Sequence, residues 1–274
     1  MTDLVGLPPF GQSPNHYGLN APEPSYVKKL LLRITIIMKL LLFFRGLFVL
    51  VFTPLLTAAV CVTAMLFSTI GRKSAEELQW LSRFWGRTVS RAGGMSVKVE
   101  GCKKLDPTKP YIFAANHQSQ FDIFALQGYL GIDFRWLAKK ELFDIPVFGS
   151  SMRIAGYIPI NRGKGREAFK SLIEAAEKIA KGTSVVIFPE GTRSPDGSLQ
   201  EFKTGGMMLA IKSGVSIVPV AITGTHYILP KGTLLARPGN VMIRVGEPIE
   251  TSGFKPKQKN DLAIMVHDSV AKLL

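Results

Sequence analysis

A layered α/β domain behind membrane-associated helices is predicted by three observations on this 274-residue chain. After residue 94, short β-rich runs alternate with helical ones, which implies helices covering a largely buried sheet. From Lys28 to Ile70 the chain is predominantly apolar, and between Gly46 and Ile70 it carries no charge at all. Hydrophobic residues make up 46% of the chain and charged ones 20%, enough apolar material to form a core and to exclude a disordered polypeptide.

Taken in order, residues 1 to 25 hold Pro8, Pro9, Pro14, Pro22 and Pro24 and no periodic apolar pattern, which reads as a flexible leader. Residues 26 to 93 read as membrane-associated helices. Lys28, Lys29, Arg33, Lys39 and Arg45 precede the uncharged run of 25 residues, Pro54 interrupts it, and Arg72 and Lys73 close it. About 20 apolar residues suffice to span a bilayer. Basic residues on both sides, however, suit a helical hairpin that enters one leaflet and returns near Pro54 at least as well as a full crossing. The run starts too far along the chain for a cleaved signal peptide. Lys73 to Arg91 then reads as an amphipathic helix with Leu78, Leu81, Phe84, Trp85 and Val89 on one side and Arg83, Arg87 and Arg91 beside it, a mix suited to a headgroup layer.

Residues 94 to 274 form the expected α/β domain. Strands are expected at 97–100, 111–115, 134–138, 157–160, 184–188, 216–222 and 241–245, and helices at 121–130, 166–181, 206–213 and 257–274. Cys61 and Cys102 make neither a disulfide framework nor a zinc spacing, so a reducing compartment is the simpler reading. The net charge of +14 calls for a polyanionic neighbour, nucleic acid or an anionic membrane surface. The Lys and Arg residues between Lys28 and Arg91 sit on apolar or amphipathic segments and no nucleic-acid motif occurs, which favours the membrane.

Three constellations carry chemistry. In Asn116-His117-Gln118-Ser119-Gln120-Phe121-Asp122, the His and Asp are five residues apart, so on a continuous helix they would diverge by about 140°. Ser119 followed by Asp122 and an apolar run is a capping box, which starts the helix at Ser119 and leaves His117 on a loop free to fold back on Asp122. A carboxylate on one imidazole nitrogen leaves the other as a general base. The same residues also fit a simple helix cap beside a polar turn. In Pro189-Glu190-Gly191-Thr192-Arg193-Ser194, a buried strand ends in a loop whose Arg193 suits a phosphate monoester, with Glu190 expected to bond a substrate hydroxyl or steer Arg193. Arg162, after Gly156-Tyr157-Ile158-Pro159-Ile160-Asn161, and Lys139 with Lys140 add positive charge at strand ends, where α/β sheets bind ligands. No GxSxG, GxxxxGK[ST] or GxGxxG loop is present, and the histidines form no metal cluster.

The four segments Asn116 to Asp122, Gly156 to Arg162, Phe188 to Ser194 and Ile217-Val218-Pro219-Val220 resemble, in order and spacing, the four blocks of the glycerolipid acyltransferases, over roughly residues 75 to 250. The resemblance implies an acyltransferase domain with a central mixed sheet, preceded by a two-helix membrane motif. It implies His117 and Asp122 as a catalytic dyad, Arg193 and Lys139 on the acceptor phosphate, and Arg162, Glu190, Gly191 and Thr192 at the acceptor site. The implied reaction moves a fatty acyl group from acyl-CoA or acyl carrier protein to the 2-hydroxyl of lysophosphatidic acid at the cytoplasmic face of the cell inner membrane. It needs no cofactor or metal, and loop N–H groups near Gly191, or else a side chain, are the expected oxyanion donors. A lyso-ornithine lipid or another lysolipid is the alternative acceptor.

Overall fold

The computed structural model describes residues 24–161, 163 and 165–274. Most of the expected leader, residues 1–23, and Arg162 of the expected acceptor site lie outside the described residues; Pro24 and Ser25, at the end of that leader, are already helical. The chain divides into two compact units, one up to Leu41 and one from Leu42 to Leu274. In the described part of the first, large apolar side chains such as Leu31, Leu32 and Leu41 are exposed.

Helix α1 runs from Pro24 to Thr69, and its stretch Val27–Thr69 is long and apolar enough to cross a membrane by length and composition. The bend expected at Pro54 is absent, because Pro54 lies inside this uninterrupted helix. A single proline removes one N–H from the ladder, whereas breaking the helix among apolar side chains would strip several backbone groups of partners. Roughly 36 Å of helix therefore separates Arg45 from Thr69, so Arg45 and Arg72 are not brought together by a turn at Pro54.

The chain reverses instead at residues 70–78, where Arg72 takes a positive φ of 50°. Helix α2 (Gln79–Ala92) then runs antiparallel to the second half of α1. Phe67 meets Trp80 with ring centroids 6.3 Å apart, Trp85 Nε1 donates to Thr57 Oγ1 at 2.9 Å, and the Arg45 guanidinium donates to the Ala92 carbonyl at 3.2 Å. The amphipathic stripe expected to lie in a headgroup layer is divided: Leu78, Leu81 and Val89 are buried in the protein, Trp85 is half-buried and Phe84 remains exposed. Its inner side packs on α3 (Phe121–Tyr129). Gly86 makes that crossing possible, since a Cβ there would stand 2.7 Å from the Gly128 nitrogen.

The sheet has seven strands: β1 (Met95–Glu100), β2 (Ile112–Ala115), β3 (Arg135–Lys139), β4 (Ile158–Ile160), β5 (Val185–Ile187), β6 (Ile217–Thr223) and β7 (Gly239–Val245). Their spatial order is β1-β7-β6-β2-β5-β3-β4. All neighbours are parallel except β6 with β7, so the sheet is mixed. Each expected strand is present within a few residues.

Alternation along β2 divides the core into two layers. Phe113 and Ala115 join the cluster that includes Val89, Phe121 and Phe124 of α2 and α3. Ile112 and Ala114 face the other cluster, built with α5 (Arg166–Ala180), α6 (Thr204–Ser213) and α8 (Lys259–Leu273). A strand buried on both faces reads as a continuous apolar run, as Ile-Phe-Ala-Ala does. Two short helices escaped the sequence reading, α4 (Phe148–Ile154) and α7 (Thr225–Ile228), because seven and four residues are too few to show a helical period. Because β6, β2, β5 and β3 are parallel neighbours, the loops that leave their C-terminal ends gather on one edge of the sheet.

Candidate active site

The loop leaving β2 is held before it reaches its functional residues. Asn116, fully buried, accepts the Ile222 N–H at 2.7 Å and donates to the Ile222 carbonyl at 2.9 Å, which fastens the loop to β6. His117 follows. Its N–H donates to Glu190 Oε1 at 2.9 Å and its carbonyl accepts the Ser194 N–H at 2.8 Å, so the loops after β2 and β5 position one another.

The His117 side chain turns back as the spacing requires, and Nδ1 lies 2.8 Å from Asp122 Oδ2. The cap differs in detail from the expected box. Helix α3 begins at Phe121, Ser119 Oγ accepts the Phe121 N–H at 3.2 Å, and Asp122 Oδ2 accepts the Gln118 and Ser119 N–H groups at 2.7 and 2.9 Å. Backbone N–H groups can only donate, so the carboxylate is an acceptor here and Nδ1 is assigned the imidazole proton. Nε2 is then the basic nitrogen. The imidazole stacks on Phe188 with centroids 3.9 Å apart, and Phe188 stacks in turn on Trp136.

His117 also lines a cavity of about 640 Å³ with walls that include Val60, Cys61 and Ala64 of α1, Trp85 of α2 and Met152 of α4. That volume is within the range of small-molecule pockets. Lys139, at the end of β3, lines the same cavity; its ammonium is exposed and 3.4 Å from Glu141 Oε1. Second-half residues of α1 thus form part of the wall facing the candidate base, a juxtaposition invisible in the sequence.

The loop after β5 forms a different part of the site. Gly191 has a φ of 75° and its own N–H donates to the Phe188 carbonyl at 3.0 Å, so that N–H is engaged in the turn. A Cβ at Gly191 would lie 2.8 Å from Lys203 Nζ, and Lys231 Nζ donates to the Arg193 carbonyl at 2.8 Å and approaches Thr192 Oγ1 at 3.4 Å. Arg193 is half-buried and Thr192 exposed. Two lysines therefore join Arg193 around this loop. Neither was singled out from the sequence, because a lysine in a turn usually marks a solvated surface and only the fold brings these two here.

Glu190 departs from its expected place beside a substrate hydroxyl or Arg193. It is 3% exposed, Oε1 accepts the His117 N–H, and Oε2 has no partner among the described residues. Burial, reinforced by the nearby Asp122 charge, pushes its carboxyl up to about 7 from 4.5. An acid raised in the folded state contributes stability that is complete below its unfolded value and lost as pH rises through its folded one. Glu190→Gln, neutral at all pH, should therefore raise Tm relative to wild type at pH 8, with the gain vanishing near pH 5. Scanning calorimetry at both pH values checks this; each kcal/mol is worth about 2–4 °C in a chain of this size. An equal difference at both pH values would refute it.

Among the described residues, no group of three or more His, Cys, Asp or Glu is placed to hold a metal ion. Residues 96–223 match the family model described as Acyltransferase. The chain is 35% identical to a chloroplastic 1-acyl-sn-glycerol-3-phosphate acyltransferase of Arabidopsis thaliana over 63% of its own length and 49% of that protein. It is 31% identical to a 1-acyl-sn-glycerol-3-phosphate acyltransferase of Pseudomonas aeruginosa over 65% of its own length and 66% of that protein. The chain thus spans about half to two thirds of the length of these curated relatives. The crystal structure of the 1-acyl-sn-glycerophosphate acyltransferase PlsC from Thermotoga maritima superimposes with a TM-score of 0.70 at 28% identity, covering 84% of this chain and 95% of that one.

Proposed function

We propose, from the match of residues 96–223 to the family model described as Acyltransferase, that this chain transfers a fatty acyl group from a thioester to the sn-2 hydroxyl of 1-acyl-glycerol-3-phosphate, giving phosphatidic acid. The donor is acyl-CoA or acyl carrier protein. The observation that carries the reading is the His117–Asp122 pair at 2.8 Å with its imidazole on the wall of an apolar cavity.

In this mechanism His117 Nε2 takes the proton of the acceptor hydroxyl as its oxygen attacks the thioester carbon. The C–S bond then breaks, and the departing thiolate takes the proton from the imidazolium. Asp122 holds Nδ1–H and stabilises the imidazolium between these steps. The transfer is direct, with no acyl-enzyme and no metal or other cofactor. Arg193 receives the acceptor phosphate, and the apolar cavity receives a fatty chain. Helix α1 holds the enzyme at the cytoplasmic face of the inner membrane, where anionic lipid matches its basic residues.

Incubating the purified protein with oleoyl-CoA, and separately with oleoyl-acyl carrier protein, and a panel of lysolipids, lyso-ornithine lipid included, and identifying products by mass spectrometry tests the proposal. Phosphatidic acid from lysophosphatidic acid is the expected product. Acylation of lyso-ornithine lipid alone would overturn the acceptor, and no acylated product with either donor would overturn the reaction.

A further inference from the structure

Asp122 is fully buried and its two oxygens are unequally supplied. Oδ2 accepts from Gln118 N–H, Ser119 N–H and His117 Nδ1, whereas Oδ1 is met by the Thr225 hydroxyl at 2.5 Å. We infer that Thr225 is a positioning residue for the base proposed above, acting through Oδ1 of Asp122 to keep Oδ2 aimed at His117 Nδ1. The inference rests on the reading of His117 as the general base.

Thr225 lies more than a hundred residues from Asp122 in the chain and reaches it by a specific turn. β6 ends at Thr223, and Gly224 follows with a φ of 93°. A Cβ at Gly224 would stand 2.0 Å from the Asn240 carbonyl oxygen, so only glycine allows the chain to leave β6 this tightly. Thr225 then opens α7 and is fully buried.

The segment is stitched to the His117 loop on both sides of Thr225. Asn116 clamps Ile222 through two hydrogen bonds, and Ser119 Oγ donates to the Leu229 carbonyl at 2.8 Å. With both ends held, the hydroxyl cannot drift from the carboxylate. Its other neighbour, Gln118 Oε1, is 3.5 Å away, so the single hydroxyl proton goes to Asp122.

A buried carboxylate oxygen without a donor costs free energy. Removing the hydroxyl leaves Oδ1 bare, and the carboxylate then gains by rotating to share the donors now on Oδ2. That rotation loosens the His117 contact which selects the Nδ1–H tautomer and leaves Nε2 basic. Thr225 keeps its own proton throughout, so it takes no part in the transfer itself.

Full-length wild type, Thr225→Val, Thr225→Ser, Asp122→Asn and the Thr225→Val/Asp122→Asn double variant are compared in detergent by two readouts. One is the kinetics of lysophosphatidic acid acylation with oleoyl-CoA; the other is the nitrogen NMR of ¹⁵N-histidine-labelled protein, which reports the His117 tautomer. Thr225→Val should lower kcat by about 10- to 100-fold, the value of one hydrogen bond to a buried charged group, with both KM values changed by less than about threefold. It should also mix the His117 tautomers. Thr225→Ser should restore both readouts, and the double variant should be no slower than Asp122→Asn, since the hydroxyl acts only through that carboxylate. If Thr225→Val does not fold, Thr225→Ala takes its place. The inference is overturned if the valine variant keeps wild-type kcat and tautomer, or if the serine variant fails as badly, which would make the methyl group's packing the essential feature. Absence of turnover in wild type would count against the proposed reaction, and the tautomer comparison would still decide the role of Thr225.

Discussion

His117→Ala should lower the rate of acyl transfer by about 10²–10⁴-fold or more, the usual contribution of a positioned general base. The acceptor hydroxyl is a poor nucleophile while it holds its proton, and among the described residues no second imidazole or carboxylate lines the cavity beside His117. Glu190, the other carboxyl next to His117, is turned inward and bonded to the main chain. The imidazole stacks on Phe188, so its removal also takes away packing; a thermal melt alongside the assay separates that cost from lost chemistry. Membrane association should persist, because α1 is untouched. Both are measured on the same preparation, by product formation from lysophosphatidic acid and by flotation with anionic vesicles. A rate within a few-fold of wild type in a folded variant would sink the assignment of His117 as the base.

Arg193→Ala should raise the KM for lysophosphatidic acid by about 30-fold or more while changing that for the thioester little. A guanidinium pairs with phosphate through two parallel hydrogen bonds, and truncating one partner of a desolvated charge pair costs roughly 2–5 kcal/mol. Arg193 is half-buried, so the lower part of that range applies. Lys203 and Lys231, which crowd the same loop, retain part of the positive field, and this also keeps the loss below the maximum. Lys139→Ala makes an instructive comparison. Its ammonium is exposed and lines the cavity beside His117, so its loss should cost less than that of Arg193. Equal effects of Arg193→Ala on both substrates would make the arginine a structural element of the loop, held there by its carbonyl bond to Lys231.

Features that depend on neighbours in the chain were legible in the sequence. Strand and helix succession follows from apolar periodicity, and the proximity of His117 to Asp122 follows from a local turn between a buried strand and a capped helix. The loop of Glu190 to Arg193 at the end of a strand is legible for the same reason. Everything that depends on how strands are ordered in the sheet was not. Only the neighbouring of β6, β2 and β5 brings Thr225 onto Asp122 and Glu190 onto the His117 N–H. Glu190 read as a substrate contact because a carboxylate in a polar loop is normally solvated, and only the packing of two loops against each other buried it. Pro54 read as a bend because its backbone cost is local and visible, whereas the support of α1 by Trp85, Ser151 and the Ala92 carbonyl comes from distant residues. The sequence by itself determined the alternating α/β order, the long apolar segment and the His–Asp pair; the tertiary structure alone decided what buttresses that pair and which wall it faces, because those contacts join residues whose separation along the chain carries no periodic signal.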